Sequence, residues 1–251
     1  MRLLVLTLML TLALATLGCS SVPSMKPGPI VVQSGVLDLA ISRDGSRLAI
    51  GSNDKSLKVV RTGDGFVWAD LKGHEDGVWG VAFNSDGKQL ASVASDSTVR
   101  MWDVETGKEL WKASPGGYSV AFHPDDKTLA VGSDYKIRLV NARDGMPLKE
   151  IREETGNVFS VVYSSDGTRL ASGSQVVRLW DPNAGTELWH YKTDGSVRAL
   201  GIAPFQVLAA IPSRTVARLS ITDGKPMKMS PVKAEATVSA DGKLSAEPTG
   251  S

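Results

Sequence analysis

A turn signal that returns about every forty residues constrains this chain more than any other feature of its sequence. The position recurs at Asp44, Asp86, Asp125, Asp166, Phe205 and Asp241, with spacings of 42, 39, 41, 39 and 36. A second series, Gly65, Gly107, Gly145, Gly185 and Gly224, runs in step at 42, 38, 40 and 39. Two turn series in phase define a repeat, and a unit of this length with apolar residues in period-two alternation accommodates about four short strands. One unit displays them. Val81-Ala82-Phe83 precedes the turn Ser85-Asp86-Gly87, Leu90-Ala91-Ser92 follows, Asp96 marks the next turn, and Thr98 to Trp102 alternates as a third strand. Thr106-Gly107 turns the chain again, and Leu110-Trp111 lies in a fourth strand. Asp-Gly pairs suit such hairpins because they accept positive φ at little steric cost. No segment longer than ten residues beyond the leader carries helical periodicity, so the sequence predicts an all-β chain.

Composition removes several function classes. Lys and Arg number 28 against 27 Asp and Glu, and there is no basic run, which argues against a nucleic-acid partner that needs its phosphates neutralised. A single cysteine excludes a disulfide scaffold and any multi-thiolate metal site. The 251 residues, 42% of them hydrophobic, allow one large domain or two small ones with ample core.

The first eighteen residues read as an address. Met1-Arg2 precedes Leu3 to Leu17, an uncharged run too short to span a bilayer comfortably. It ends in Thr16-Leu17-Gly18-Cys19, which resembles a bacterial lipobox. That resemblance implies a signal peptide over 1–18, a diacylated Cys19 as the new N-terminus and a Pro-rich tether over 19–29. Ser20 in place of Asp implies sorting to the outer membrane, facing the periplasm. The alternative is ordinary secretion, cut after Ala13-Leu14-Ala15, with Cys19 left as an odd thiol.

From Ile30 the chain is expected to form one domain, over 30–251. The segment Gly73 to Asp103, GHEDGVWGVAFNSDGKQLASVASDSTVRMWD, closely resembles a tryptophan–aspartate (WD) repeat, the blade of WD-repeat β-propellers. A second copy, LASGSQVVRLWD, ends at Trp180-Asp181. The resemblance implies a structural hydrogen-bond network of His74, Ser92, Asp96 and Trp102. The other units lack its full set: the fourth keeps Ser172 and Trp180 without the His and Asp. Apolar packing is therefore expected to hold every unit but the second. Five whole units run from Val36 to Ala234, and Ile30 to Gln33 with Glu235 to Ala246 could share a closing blade. The expectation is six blades with an incomplete closing one, with five blades or a truncated seven as alternatives. The edge left by a missing strand makes dimerisation through that blade a further expectation.

No catalytic constellation stands out. His74, His123 and His190 fall in different units or strand positions, and neither GxSxG, P-loop nor HExxH occurs. No cofactor and no metal is expected. One column is chemically distinct: just before each innermost strand stand Leu37, Trp79, Tyr118, Phe159 and Arg198. Three aromatics and an arginine on one face would form a protein-binding patch, unless they pack between blades. The expected function is a non-catalytic, lipid-anchored scaffold that binds protein or peptide in the bacterial cell envelope. Two alternatives stand beside it. GKELWK and GTELWH resemble the Trp motifs of quinoprotein-like propellers, which include cofactor enzymes and outer-membrane assembly lipoproteins, and a degenerate fifth unit is compatible with a truncated relative of little activity.

Overall fold

A computed structural model describes residues 35–211 and 215–227, and the backbone at 237–238 and 244–245. The expected signal peptide, Cys19, the expected tether and Ile30 to Gln33 lie outside the described residues, as does most of Glu235 to Ala246. Alternating apolar residues between Asp- and Gly-bearing turns form short antiparallel strands throughout, and no described residue is helical.

The first sheet contains β1 (Val36–Ile41), β2 (Arg47–Ser52), β3 (Leu57–Arg61) and β4 (Val67–Asp70), paired in chain order. The second repeats this with β5 (Val78–Phe83), β6 (Gln89–Ala94), β7 (Val99–Asp103) and β8 (Glu109–Ala113). In the third sheet β9 (Ser119–Phe122) and β11 (Pro147–Asn157) flank a long β10 (Thr128–Asn141). β10 covers what are two strands elsewhere: Leu129 to Gly132 pair with β9 and Asp134 to Val140 with β11, with Tyr135 at φ 54 at the register shift between Asp134 and Lys136. The fourth sheet is β12 (Ser160–Tyr163), β13 (Leu170–Gly173), β14 (Val176–Asp181) and β15 (Thr186–Lys192). The fifth is β16 (Ala199–Ala203), β17 (Gln206–Ile211) and β18 (Thr215–Ser220), with a single Leu219–Pro226 bridge where the others have an outer strand. A hairpin of β19 (Thr237–Val238) and β20 (Leu244–Ser245) follows, where the sequence places the first two strands of a sixth unit.

The first strands of successive sheets lie side by side, β1 against β5, β5 against β9, β9 against β12 and β12 against β16. Five small sheets so arranged in a ring are a β-propeller, as the resemblance to WD repeats implies. The core is divided into layers between neighbouring sheets. Leu57 and Leu71 of the first sheet and its exit loop meet Leu90 and Trp102 of the second, and Leu129 and Val131 pack with Met101. Tyr163, Leu170 and Trp180 enclose Ile137 and Ile151, and Leu179 and Trp189 meet Val207 and Leu219. A buried leucine or valine contributes roughly 1.5–3 kcal/mol, so each layer is a substantial cohesive unit.

The outer strands carry one regular irregularity. In four sheets the pairing slips by one residue at the same place, leaving Trp68, Leu110, Leu148 and Leu188 as bulged residues. Each is half exposed to solvent. A bulge interrupts the row of free backbone donors and acceptors, which blunts an edge against pairing with another chain. It also directs the next residue inward. Trp111 and Trp189 lie over Gly145 and Gly224 of the following sheet, both at positive φ, and their indoles donate to the Ala142 and Ile221 carbonyls at 2.9 and 3.0 Å. A side chain added to either glycine would meet the indole at 2.8 or 2.6 Å.

Candidate binding face and buried polar networks

In the second sheet the loop before β5 delivers His74 beneath β6 and β7. The Trp102 indole donates to Ser92 Oγ at 2.8 Å, and Ser92 Oγ lies 2.7 Å from His74 Nε2. His74 Nδ1 lies 2.8 Å from Asp96, which also accepts from the Glu75 amide and the Thr98 hydroxyl. The chain of donors assigns the tautomer: Nδ1–H faces the carboxylate, and Nε2 accepts from the serine. Burial holds the imidazole below its ordinary pKa, so the ring is neutral at pH 7. Burial opposes ionisation of Asp96, but the Glu75 amide, Thr98 and His74 outweigh it and bring the carboxyl down to about 2. The Asp–His–Ser order matches that of a hydrolytic triad, but the chemistry is closed off. The His74 side chain and Ser92 are both 0% exposed, and the serine oxygen already holds an indole N–H. A nucleophile must meet its substrate, and this one is enclosed.

The fourth sheet holds a second network that the sequence reading missed. Trp180 donates to Ser172 at 2.9 Å, and Ser172 donates to Glu153 at 3.1 Å. The other oxygen of Glu153 accepts from Arg178 Nε at 2.6 Å and from Thr155 at 2.6 Å. Glu153 comes from β11 of the preceding sheet and is 1% exposed. It stands where His74 stands in the second sheet, 19 residues before its serine as His74 is 18 before Ser92. The expectation that apolar packing alone holds the fourth unit is therefore corrected. The carboxylate reaches inward because β11 lengthens and bulges, four residues from Glu153 to Gly156 standing opposite Tyr135. The available signal was this spacing, together with Arg178 and Glu187 repeating Arg100 and Glu109, which pair in the second sheet.

A third buried carboxyl also escaped notice. Asp38 of β1 accepts from the Val81 amide of β5 at 2.9 Å, joining the inner strands of two sheets. Burial pushes its pKa up to about 7 against the two amide hydrogen bonds it receives.

The column forms a run across four sheets, with Tyr118, Phe159 and Arg198 just before their inner strands and, unlike the expectation, Leu37 and Trp79 inside β1 and β5 at register shifts. Trp79 and Tyr118 meet edge to face with centroids 6.1 Å apart, and Tyr118 and Phe159 tilt together at 5.3 Å. The Arg198 guanidinium sits 4.9 Å from the Phe159 centroid. Leu37 stands beside Gly77, two residues before Trp79. The rings are half-buried and Arg198 is exposed. Thus the rings pack between neighbouring sheets and still present surface. The indole of Trp79 donates to Ser95, and the Tyr118 hydroxyl donates to Asp134 and accepts from Asn157.

The remaining histidines stay apart. His123 lies 2.7 Å from Asp125 and edge-on to Tyr163, while His190 bonds Glu187 at 2.6 Å. Among the described residues, no cluster of three or more His, Cys, Asp or Glu could hold a metal ion, and no helix is long and apolar enough to cross a membrane.

Comparison with known proteins agrees with this geometry. The family model of the WD domain, G-beta repeat, matches residues 27–60 and 66–103, and the model of outer membrane protein assembly factor BamB matches 95–250. The WD repeat-containing protein SL1-17 of Schistosoma mansoni is 30% identical over 163 residues, 62% of this chain and 54% of that protein. The serine-threonine kinase receptor-associated protein of Mus musculus is 29% identical over 178 residues, 68% of this chain and 51% of that protein. An uncharacterized WD repeat-containing protein of Synechocystis is 39% identical over 100 residues, 38% of this chain and 28% of that protein. The chain spans about half the length of the first two relatives. The ring of small antiparallel sheets, the repeat matches and these relatives together put the chain in the WD-repeat β-propeller family, and its larger part, residues 95–250, in the family of the outer membrane protein assembly factor BamB.

Proposed function

We propose that this chain is a non-catalytic scaffold that binds protein or peptide through the face of Trp79, Tyr118, Phe159 and Arg198, moored to the bacterial cell envelope through Cys19. The observation that carries the binding role is the contiguous run of three rings and a guanidinium, residue types enriched at interaction hot spots. The triad-like arrangement in the second sheet is sealed from substrate. The mooring rests on the lipobox-like Leu17-Gly18-Cys19 behind an uncharged leader, and each buried acyl CH₂ would add about 0.8 kcal/mol to anchoring. The outer membrane facing the periplasm is the compartment this reading assigns. Partner binding or dimerisation through an incomplete closing blade belongs to the same proposal.

A second reading is favoured by the match over 95–250. It makes the chain a participant in assembling outer-membrane proteins, with the same face as its docking surface. The two differ in the partner, not in the site.

The test is a double variant, Trp79→Ala with Phe159→Ala, compared with wild type by thermal melting and by crosslinking in the native envelope. The binding role predicts loss of crosslinked species from a variant that still melts cooperatively, its Tm lowered by the packing the two rings supply. Unchanged crosslinks with a much lower Tm would assign the rings to packing alone. Cys19→Ala should move the protein from the membrane to the soluble fraction, and an unchanged distribution would overturn the anchor.

A further inference from the structure

The aromatic run ends in a cation, Arg198. Among the described residues no carboxylate oxygen lies within 4.0 Å of the Arg198 guanidinium. The polar atoms of the rings are already engaged, the Trp79 indole by Ser95 and the Tyr118 hydroxyl by Asp134 and Asn157. The rings therefore offer carbon surface, and the N–H groups of Arg198 meet no carboxylate among the described residues. A guanidinium resting on a ring is held in place while the N–H groups at its edge stay free, the arrangement suited to a carboxylate.

The run is also polar along its length. Exposed carboxylates stand in the loops before both ends, Glu75 and Asp76 four and three residues before Trp79 and Asp194 four residues before Arg198. Asp134 sits at the Tyr118 step. The groups that touch the rings differ in sign: the carboxylate of Asp134 stands at Tyr118 and the guanidinium of Arg198 at Phe159. A second carboxylate near Tyr118 would be repelled, and one near Arg198 attracted. From Trp79 to Arg198 the successive ring separations reach at most ~16 Å, the length of about five extended residues.

We infer that this face takes an extended peptide segment bearing an acidic residue, its carboxylate on Arg198 and an apolar side chain three to five residues away over Tyr118 and Trp79. The inference rests on the reading of this face as a peptide-binding surface and adds the chemistry and direction of its ligand.

The experiment titrates the full chain with fluorescein-labelled peptides of alternating leucine and alanine that end in one glutamate, one glutamine or one lysine, read by anisotropy. The glutamate peptide should bind at least tenfold tighter than the glutamine peptide, and the lysine peptide weakest. Arg198→Glu should reverse the order of the glutamate and lysine peptides. Arg198 is exposed, so this variant should melt within about 2 °C of wild type. Equal affinity for the glutamate and glutamine peptides, or an order that Arg198→Glu leaves unchanged, would overturn the acidic ligand while leaving a peptide-binding face. If no peptide binds but Trp79→Ala with Phe159→Ala still abolishes envelope crosslinks, the proposed ligand is wrong and the face stands. If the crosslinks also survive, the binding face itself falls.

Discussion

Replacing Glu153 with alanine should unfasten the third sheet from the fourth, and the size of the effect follows from what the carboxylate holds. It accepts from Arg178 at 2.6 Å, Thr155 at 2.6 Å and Ser172 at 3.1 Å, while 1% exposed. Removing one member of a buried ion pair costs about 3–5 kcal/mol, because the other charge stays buried. Arg178 retains Glu187, so the lower end of that range applies, about 3 kcal/mol. Glu153→Gln keeps an acceptor and the shape, and should cost about half as much. Urea titrations at pH 7, followed by tryptophan fluorescence, measure both, and the alanine variant should melt about 6–12 °C below wild type. Ser172→Ala completes a double-mutant cycle, with a coupling of about 1 kcal/mol expected between neighbours in one network. A loss below about 1 kcal/mol for Glu153→Ala, or strict additivity in the cycle, would refute the claim that this carboxylate fastens the two sheets.

Other perturbations probe the remaining parts. Trp102→Phe removes the buried donor to Ser92 and should destabilise by about 1–3 kcal/mol in the same urea assay. Gly224→Ala places a methyl group against Trp189 at positive φ and should cost about 1–3 kcal/mol, whereas Gly45→Ala, also at positive φ but with nothing within 4 Å, should cost less. Asp38 has a folded pKa near 7 against 3.8 in the unfolded chain, so its contribution is full below pH 4 and is lost as pH rises through 7. Asp38→Asn should therefore flatten the fall in stability between pH 5 and pH 8 by about 2 kcal/mol, and an unchanged slope would show that the carboxyl ionises freely.

The strands were legible because the turns announce them. Asp86-Gly87 and Thr106-Gly107 bracket β6 and β7, and alternation in Leu90 to Ser92 and Thr98 to Trp102 fixes which side chains face inward. The run from Trp79 to Arg198 was visible for the same reason: one register position recurs in every unit. Glu153 was not, because Arg152-Glu153-Glu154 in an outer strand reads as a solvated charge run. Only the bulge opposite Tyr135 turns the middle residue inward, and a bulge has no fixed residue signature. Asp38 was hidden differently. Its partner is a backbone amide 43 residues away, and an amide carries no sequence label.

The most direct test puts a photoreactive phenylalanine analogue at two places in the chain expressed in its native cell. One is Phe159, in the ring run; the other is Phe205, which is 80% exposed in a turn at the opposite end of its sheet. Discrete protein adducts at position 159 and none at 205 are the predicted outcome. Adducts at 205 alone, or the same adducts at both, would contradict the assignment of the ring run as the face that meets a partner.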